Sequence, residues 1–223
     1  MHTSLLITYN RKKVMIDCGT SWLKKVDKIK PDHIVLTHAH PDHCWGLRRG
    51  APCPVWATRE TWNLIDHFPI KDRRLLRHRG RKKIGGISFE PFPVWHSIRC
   101  PAVGYRIICG PLIFFYVPDV TWIPQIHKAL RKASFYIGDG ATIIHPMTRR
   151  HAPTGQIFGH ATIRQQLTWC KKQKVPKMIV THCGSAIVKE EKRAFRHLCK
   201  LADERGVSLE IAFDGQIKKF HLQ

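Results

Sequence analysis

The fold of this sequence is decided by Thr37-His38-Ala39-His40-Pro41-Asp42-His43, which follows directly on a short apolar run. His38 and His40 are two residues apart, so in extended backbone both side chains can point the same way and grip one metal ion. Asp42 and His43 come on the following turn, where they can reach a second ion. Imidazole and carboxylate ligands together suit zinc, and also iron or manganese. The sequence therefore predicts a metal site at the end of this run.

The motif at residues 38–43 resembles the signature of the metallo-β-lactamase-fold hydrolases. The resemblance extends over nearly the whole chain, because the family's other motifs follow in order at the ends of apolar runs. It implies an α/β fold, specifically a four-layer αββα sandwich with the metals at one edge of the sheets. The predicted organisation is a single domain over residues 1–223.

The resemblance also implies two divalent metal ions held by seven side chains. Zinc is favoured, with manganese or iron as alternatives. Asp119 resembles the carboxylate that bridges the two metals, and Asp17 resembles the early aspartate that fixes a ligand imidazole through a hydrogen bond. The implied ligands are His38, His40 and His96 for the first metal, and Asp42, His43 and His182 for the second, with Asp119 as the bridge.

The segment Gly159-His160-Ala161-Thr162 indicates which branch of the family this sequence resembles. It precedes a predicted helix at residues 162–174, and it resembles the Gly-His element of the RNase Z branch and of related cyclic-phosphate phosphodiesterases. In that branch the histidine acts near the leaving group and the scissile phosphate. The implied mechanism is attack on phosphorus by a metal-bridging hydroxide, with His160, Asp42 and Asp119 as the catalytic residues.

The composition indicates an anionic partner. Lys and Arg number 38 against 16 Asp and Glu, which gives a formal net charge of +22. Such a charge favours nucleic acid, anionic lipid or phosphorylated small molecules. The basic run at residues 71–83 and the predicted loop at residues 142–155 are either phosphate contacts or ordinary solvated charges. The predicted substrate contacts are Lys71, Arg73, Arg74, Arg77, Arg79, Arg81, Lys82, Lys83, Arg149 and Arg150.

The predicted function is a dinuclear-metal phosphodiesterase or nuclease that acts on DNA, RNA or a nucleotide-like phosphodiester. A thioesterase resembling glyoxalase II, or a lactonase, would use the same metal site on a carbonyl substrate, but the charge and His160 favour a phosphodiester. A non-catalytic nucleic-acid binder on a decayed hydrolase scaffold is disfavoured because the set of ligands is complete. An exported β-lactamase is disfavoured because its branches do not keep an aspartate where Asp119 stands.

Targeting and membrane signals are weak in this sequence. No run approaches the roughly 18 apolar residues of a membrane span, and the apolar run near the N-terminus is too short for a signal-peptide core. The eight cysteines form no C-x-x-C pair. We therefore expect a cytoplasmic protein without a membrane partner, and the family resemblance suggests a homodimer.

Overall fold

A computed structural model of the protein describes residues 2–220. The contacts between residues divide the chain into two compact units. The first unit contains the chain up to Pro93 together with Ser97–Cys109, and the second contains Val94–His96 together with the chain from Gly110 onward. That one domain covers residues 1–223 stays a prediction.

The first unit is built on a five-stranded sheet. The strands of this unit are β1 (Leu5–Tyr9), β2 (Lys12–Ile16), β3 (His33–Val35), β4 (Val55–Ala57), β5 (Arg73–Leu75), β6 (Lys82–Ile84), β7 (Ile87–Val94, whose last residue belongs to the second unit) and β8 (Ala102–Cys109), and the first five form the sheet. Its helices are α1 (Val26–Ile29), α2 (Pro41–Cys44) and α3 (Arg59–Leu64). The sheet has the order β1-β2-β3-β4-β5, in which β1 is antiparallel to β2 and the other pairs are parallel.

The sequence predicts a hairpin at the start of the chain, with strands at residues 5–9 and 13–16 around a turn at residues 10–12, and the structure confirms it. β1 and β2 pair in antiparallel register. Asn10 and Arg11 between them both have positive φ, as a two-residue type I′ turn requires. The turn therefore fixes the register in which β2 enters the sheet.

The core of the first unit holds the parallel strands in place. Met15, Ile34 and Val55 come from three adjacent strands and join one apolar cluster with Trp62 of α3. Burial of one aliphatic side chain of this size stabilises a fold by about 1.5–3 kcal/mol. This packing fixes the carboxyl ends of β2 and β3, and the predicted metal motif follows directly from them.

The second unit is built on four parallel strands. The strands of this unit are β9 (Leu112–Tyr116), β10 (Phe135–Asp139), β11 (Met147–Arg150), β12 (Ile157–His160), β13 (Lys177–Thr181) and β14 (Ser208–Ile211), of which β9, β10, β13 and β14 are the four parallel strands. Its helices are α4 (Ile126–Ala129), α5 (Ile163–Lys172), α6 (Ser185–Val188) and α7 (Glu191–Asp203). β14, β13, β10 and β9 lie side by side in that order, all parallel, while β11 and β12 form a separate antiparallel hairpin.

The mixture of parallel sheets and helices confirms the predicted α/β class. Among residues 2–220, no helix combines the length and the apolar character needed to cross a membrane. The cytoplasmic location and the homodimer stay predictions.

Two local predictions are wrong. The segment predicted as a loop at residues 142–155 contains β11, which pairs with β12 although it exposes all four of its side chains. The sequence also predicts a terminal hairpin, with strands at residues 209–213 and 216–220 over Asp214-Gly215. This hairpin does not form within the described residues, because β14 pairs in parallel with β13 and residues 216–220 make no strand. Gln216 and Lys218 instead reach back to Glu210 through their side chains.

Candidate metal centre

In the first unit, the predicted ligands follow two neighbouring parallel strands. Asp17 comes directly after β2, and His38 comes shortly after β3. Because β2 and β3 run parallel, their carboxyl ends lie at the same edge of the sheet. Asp17 is fully buried and has a φ of 62°, a left-handed conformation that is uncommon outside glycine. Such a conformation in a buried residue is typical of functional sites.

Asp17 joins the two strand ends through both of its carboxylate oxygens. Its Oδ1 accepts a hydrogen bond from the Thr37 backbone N–H at 2.8 Å. Its Oδ2 accepts one from the Thr37 hydroxyl at 2.8 Å and one from His43 Nδ1 at 2.9 Å. Burial raises the pKa of Asp17, and the His43 ring and the Thr37 donors oppose that rise. Asp17 thus fixes the His43 ring at Nδ1 and leaves Nε2 as the nitrogen that can bind a metal.

The same network sets the protonated nitrogen of His38. The single proton of the Thr37 hydroxyl goes to Asp17, so this hydroxyl accepts from His38 Nδ1–H across 2.9 Å. The lone pair of His38 then lies on Nε2, which is 3.0 Å from His40 Nδ1. Two nitrogens bound to one tetrahedral zinc ion lie roughly 3.3 Å apart. His38 and His40 therefore fit as two ligands of one ion.

The short helix α2 carries the other two ligands of this motif. His43 Nε2 lies 3.3 Å from Asp42 Oδ2. The loop after β2 packs against this helix, and the Cys18 N–H donates to the His43 carbonyl oxygen at 2.6 Å. A Cβ on Gly19 would lie only 1.9 Å from the Asp42 carbonyl oxygen, so this position requires glycine. The close approach of the loop positions both ligands.

In the second unit, the predicted ligands again follow parallel strands. Asp119 comes shortly after β9, Asp139 is the last residue of β10, and His182 directly follows β13. Because β10 is parallel to both neighbours, the three strand ends share one edge. His182 Nδ1 lies 3.1 Å from Asp119 Oδ1. His182 also has a positive φ, 52°, which repeats the conformation of Asp17.

The His160 ring lies closer to Asp139 than to Asp119. His160 Nδ1 donates to Asp139 Oδ2 at 2.8 Å, whereas Asp119 Oδ1 is 3.7 Å away. Asp139 is fully buried, and its two oxygens also accept hydrogen bonds from the backbone N–H groups of Val120 and Ala141. This arrangement fixes the His160 ring and turns Nε2 away from Asp139.

Four side chains of the second unit lie close enough to bind one metal ion. Each offers one ligand atom, and the four atoms lie within 4.8 Å of one another; the residues are Asp119, Asp139, His160 and His182. Carboxylate and imidazole groups suit zinc, iron and manganese. Because both oxygens of Asp139 already accept hydrogen bonds, Asp139 fits better as the group that positions His160 than as a ligand.

His96 is buried at the end of β7, and Gly159 holds its ring. His96 Nδ1–H donates to the Gly159 carbonyl oxygen at 3.1 Å, and the Gly159 N–H donates to the His96 carbonyl oxygen at 2.7 Å. A carbonyl oxygen only accepts, so the His96 lone pair lies on Nε2, 3.9 Å from Asp119 Oδ2. Burial lowers the pKa of His96, which favours the neutral imidazole that binds metals.

The donor groups of each unit therefore fit a divalent metal. They combine oriented imidazoles with carboxylates, the groups that such ions bind. How the seven predicted ligands divide between two ions, and the catalytic roles of Asp42, Asp119 and His160, stay predictions.

The sequence interpretation missed Asp139, although the sequence carries a signal for it. Asp139 directly follows the apolar run 135–138, just as Asp17 and Asp119 follow apolar runs of their own. Gln166 was also missed and carries no such signal. It is fully buried, its Oε1 accepts from the Asp139 N–H at 2.9 Å, and its Nε2 donates to the Asp139 carbonyl oxygen at 2.7 Å.

Several predicted substrate contacts bind other groups in the first unit. Arg73 donates hydrogen bonds to three backbone carbonyl oxygens. Arg74 pairs with Asp72, and Arg79 pairs with Glu90. The remaining predicted contacts in this run are exposed: Lys71, Arg77, Arg81, Lys82 and Lys83. Contact between any of these residues and a substrate stays a prediction.

A family model described as "Beta-lactamase superfamily domain" matches residues 12–183 of the chain. Among curated proteins, the chain is similar to the exodeoxyribonuclease YycJ of Bacillus anthracis, with 30% identity over 112 residues. That match covers 44% of this chain and 42% of YycJ. The chain spans about half the length of the curated relatives it matches.

Solved structures resemble the chain over most of its length. The metallo-beta-lactamase fold protein YhfI of Bacillus subtilis has a TM-score of 0.74 and 15% identity, over 95% of this chain and 88% of YhfI. A diphosphatase of the PhnP family has a TM-score of 0.70 and 23% identity, over 99% of this chain and 85% of the diphosphatase. These likenesses confirm the fold that the sequence predicts.

Proposed function

The chain belongs to the beta-lactamase superfamily, and from this membership we propose that it is a metal-dependent hydrolase of phosphodiester bonds in nucleic acid or a nucleotide-like substrate. The pair formed by His160 and Asp139 carries the proposal, because it holds an oriented imidazole beside Asp119 and His182. An imidazole so held can give a proton to a leaving oxygen. The similarity to an exodeoxyribonuclease and to a diphosphatase supports the same class of reaction.

We propose two divalent ions for this site. When bound, such ions supply Lewis-acid chemistry: they activate water and stabilise charge on the attacking and leaving oxygens. Zinc is the proposed metal, and the donor set also suits manganese or iron. Asp17 fixes one ligand imidazole. The proposed ligands are His38, His40 and His96 for one ion, Asp42, His43 and His182 for the other, and Asp119 for both.

His160 is the proposed general acid. Asp139 holds Nδ1–H, so Nε2 is the nitrogen that faces the substrate, and the Asp139 carboxylate stabilises the protonated ring. As the P–O bond breaks, the proton moves from Nε2 to the leaving oxygen and the ring becomes neutral. Asp42 and Asp119 are the other proposed catalytic residues, in addition to their proposed role as metal ligands.

The net positive charge of residues 140–189, the segment that contains His160, supports an anionic substrate. Residues 140–189, which include β12, α5 and His182, contain eight Lys or Arg and no Asp or Glu. A phosphodiester carries a negative charge at neutral pH, whereas a thioester or a lactone ring carries none. The charge therefore favours a phosphodiesterase over the thioesterase or lactonase that the same ligands could serve.

Hydrolysis of bis(4-nitrophenyl) phosphate by zinc-loaded protein tests the proposal. We expect turnover that disappears in Asp119→Ala, with the metal content of both proteins measured alongside. A 4-nitrophenyl thioester and a lactone serve as the comparison substrates. Turnover of either of these together with an inert phosphodiester would contradict the proposal and support the alternative.

A further inference from the structure

The β11–β12 hairpin carries two unlike faces. Its register pairs Met147 with His160 and Arg149 with Phe158. Residues that pair across a ribbon, or that are two apart along one strand, share a face. We call the face formed by these four residues the His160 face.

Arg149 lies diagonally across the hairpin from His160. Diagonal neighbours are about 7–8 Å apart, which is within the reach of a long side chain. Arg149 is exposed, so its guanidinium can approach an anion bound beside His160. Arg150 belongs to the opposite face, where its Nη1 donates to the Gly155 carbonyl oxygen at 3.0 Å. The two adjacent arginines are therefore not equivalent.

Phe158 adds an aromatic ring to the same face. It lies opposite Arg149 and two residues before His160, and it is partly exposed. Proteins bind single-stranded nucleic acid by combining basic groups on the phosphates with aromatic rings on which bases stack. Phe158 and Arg149 supply both groups on one face.

The base of the hairpin is tied to the strands that carry proposed ligands. Gly159 exchanges two hydrogen bonds with His96, and the Ala161 N–H donates to the Val120 carbonyl oxygen at 2.6 Å. A Cβ on Gly159 would lie 2.0 Å from the Met147 carbonyl oxygen, so the two strands approach as closely as glycine allows. The His160 face is thereby held in a fixed place beside His96 and Asp119.

We infer that the His160 face binds single-stranded nucleic acid, with Arg149 on a backbone phosphate and Phe158 stacked on a base. The inference rests on the proposed function, because it places the bound strand next to the proposed general acid. Residues 140–189, which contain this hairpin, carry eight Lys or Arg and no Asp or Glu, a composition that favours an anionic ligand. Duplex nucleic acid offers no unpaired base to Phe158 and is expected to bind this face less well.

Fluorescence anisotropy tests the inference on the zinc-loaded protein of 223 residues. The probe is a labelled single-stranded 12-mer with phosphorothioate linkages, which resist hydrolysis and keep their charge. We expect Phe158→Ala to weaken binding roughly 5- to 100-fold, the range for loss of one base stack. Arg149→Gln should weaken binding and lower the slope of log K against log salt by about one phosphate contact. Arg150→Gln makes the same charge change one residue away, on the opposite face, and should weaken binding less than Arg149→Gln does.

Two controls keep the result decisive. Phe158→Leu retains apolar volume and removes only the aromatic ring, and thermal unfolding confirms that each variant is folded. Equal losses in Arg149→Gln and Arg150→Gln, or unchanged binding in both Phe158 variants, would overturn the inference. Turnover of bis(4-nitrophenyl) phosphate by wild type tests the proposed function separately. Binding through this face by a protein that cleaves no phosphodiester would leave the inference standing and reject the function.

Discussion

At the residue scale, three proposed ligand histidines are each fixed by a hydrogen bond at Nδ1. His43 is held by the Asp17 carboxylate, His38 by the Thr37 hydroxyl, and His96 by the Gly159 carbonyl. Three different acceptors thus give the same outcome, which is a proton on Nδ1 and Nε2 as the nitrogen that can bind a metal. Such partners orient the ring before a metal binds and raise its affinity for the ion.

The same logic predicts the effect of Asp139→Asn. Asparagine replaces one carboxylate oxygen by an NH2 group, which cannot accept, so at least one hydrogen bond from His160, Val120 or Ala141 is lost. We expect turnover to fall about 10–100-fold, as for other partners that orient a functional histidine. Steady-state kinetics on a phosphodiester, with metal content measured in parallel, check this.

Because Asp139 acts through His160, the losses of turnover caused by the two substitutions should not be additive in free energy. The double variant Asp139→Asn with His160→Ala is expected to be no slower than His160→Ala alone. If the fold-losses of turnover of the two single variants multiply in the double variant, Asp139 has a role independent of His160, for example as a metal ligand.

At the scale of elements, the loop after β2 and the helix α2 are locked together at Gly19. A methyl group there would overlap the Asp42 carbonyl, although Gly19 itself has an ordinary φ of −70°. We expect Gly19→Ala to lower the free energy of unfolding by about 1–3 kcal/mol, the usual cost of overpacking. It should also weaken metal binding, because the Asp42 backbone must move. Urea unfolding and zinc titration measure the two effects.

Gly206→Ala is the control for this substitution. Gly206 has a φ of 63° and no atom within 4 Å of the added methyl, so it loses stability through backbone strain alone. Its zinc affinity should match that of wild type. If Gly19→Ala binds zinc as tightly as wild type, the close contact between Gly19 and the Asp42 backbone does not position the proposed metal ligand.

Glu210 in β14 forms ion pairs with Lys177 and Lys218, so the free energy of unfolding should depend on pH. Burial would raise the pKa of Glu210, but hydrogen bonds from Lys218, Lys177 and Gln216 outweigh it and lower the pKa to about 2. Glu210 therefore stabilises the fold above its unfolded pKa of about 4.3, and this contribution disappears as the pH falls toward the folded value. Glu210→Gln should be less stable than wild type at pH 7, with the difference closing between roughly pH 5 and pH 2. Urea unfolding across this range checks the prediction, and a constant difference would refute it.

The elements that the sequence predicts well are those fixed by local signals. The first hairpin has a two-residue turn, and the metal motif follows an apolar run that becomes a buried parallel strand. The contact between Asp139 and His160 joins residues 21 apart and depends on packing beyond the local sequence. β11 is not predicted from the sequence for another reason. All four of its side chains are exposed, so its sequence lacks the apolar alternation that indicates a strand. The direction of β14 is set by its pairing with β13, which the Asp214-Gly215 turn does not reveal.

At the scale of the whole molecule, the net charge of +22 predicts salt-sensitive binding of nucleic acid. Contacts with three phosphates would weaken single-strand binding roughly 20-fold between 50 and 200 mM salt. The KM for a small neutral ester should not change over this range. Anisotropy titrations in KCl check the prediction, and salt-independent oligonucleotide binding would rule out phosphate contacts as its source.

We propose that this molecule cleaves phosphodiesters with His160 protonating the leaving oxygen. The most direct test compares His160→Ala with wild type on two substrates, a dinucleotide and bis(4-nitrophenyl) phosphate. Nitrophenolate leaves as a stable anion, so only the dinucleotide needs the proton. We predict a loss of about 10²–10⁴-fold on the dinucleotide and under about tenfold on the nitrophenyl ester, with metal content intact. Equal losses on both substrates would contradict the claim.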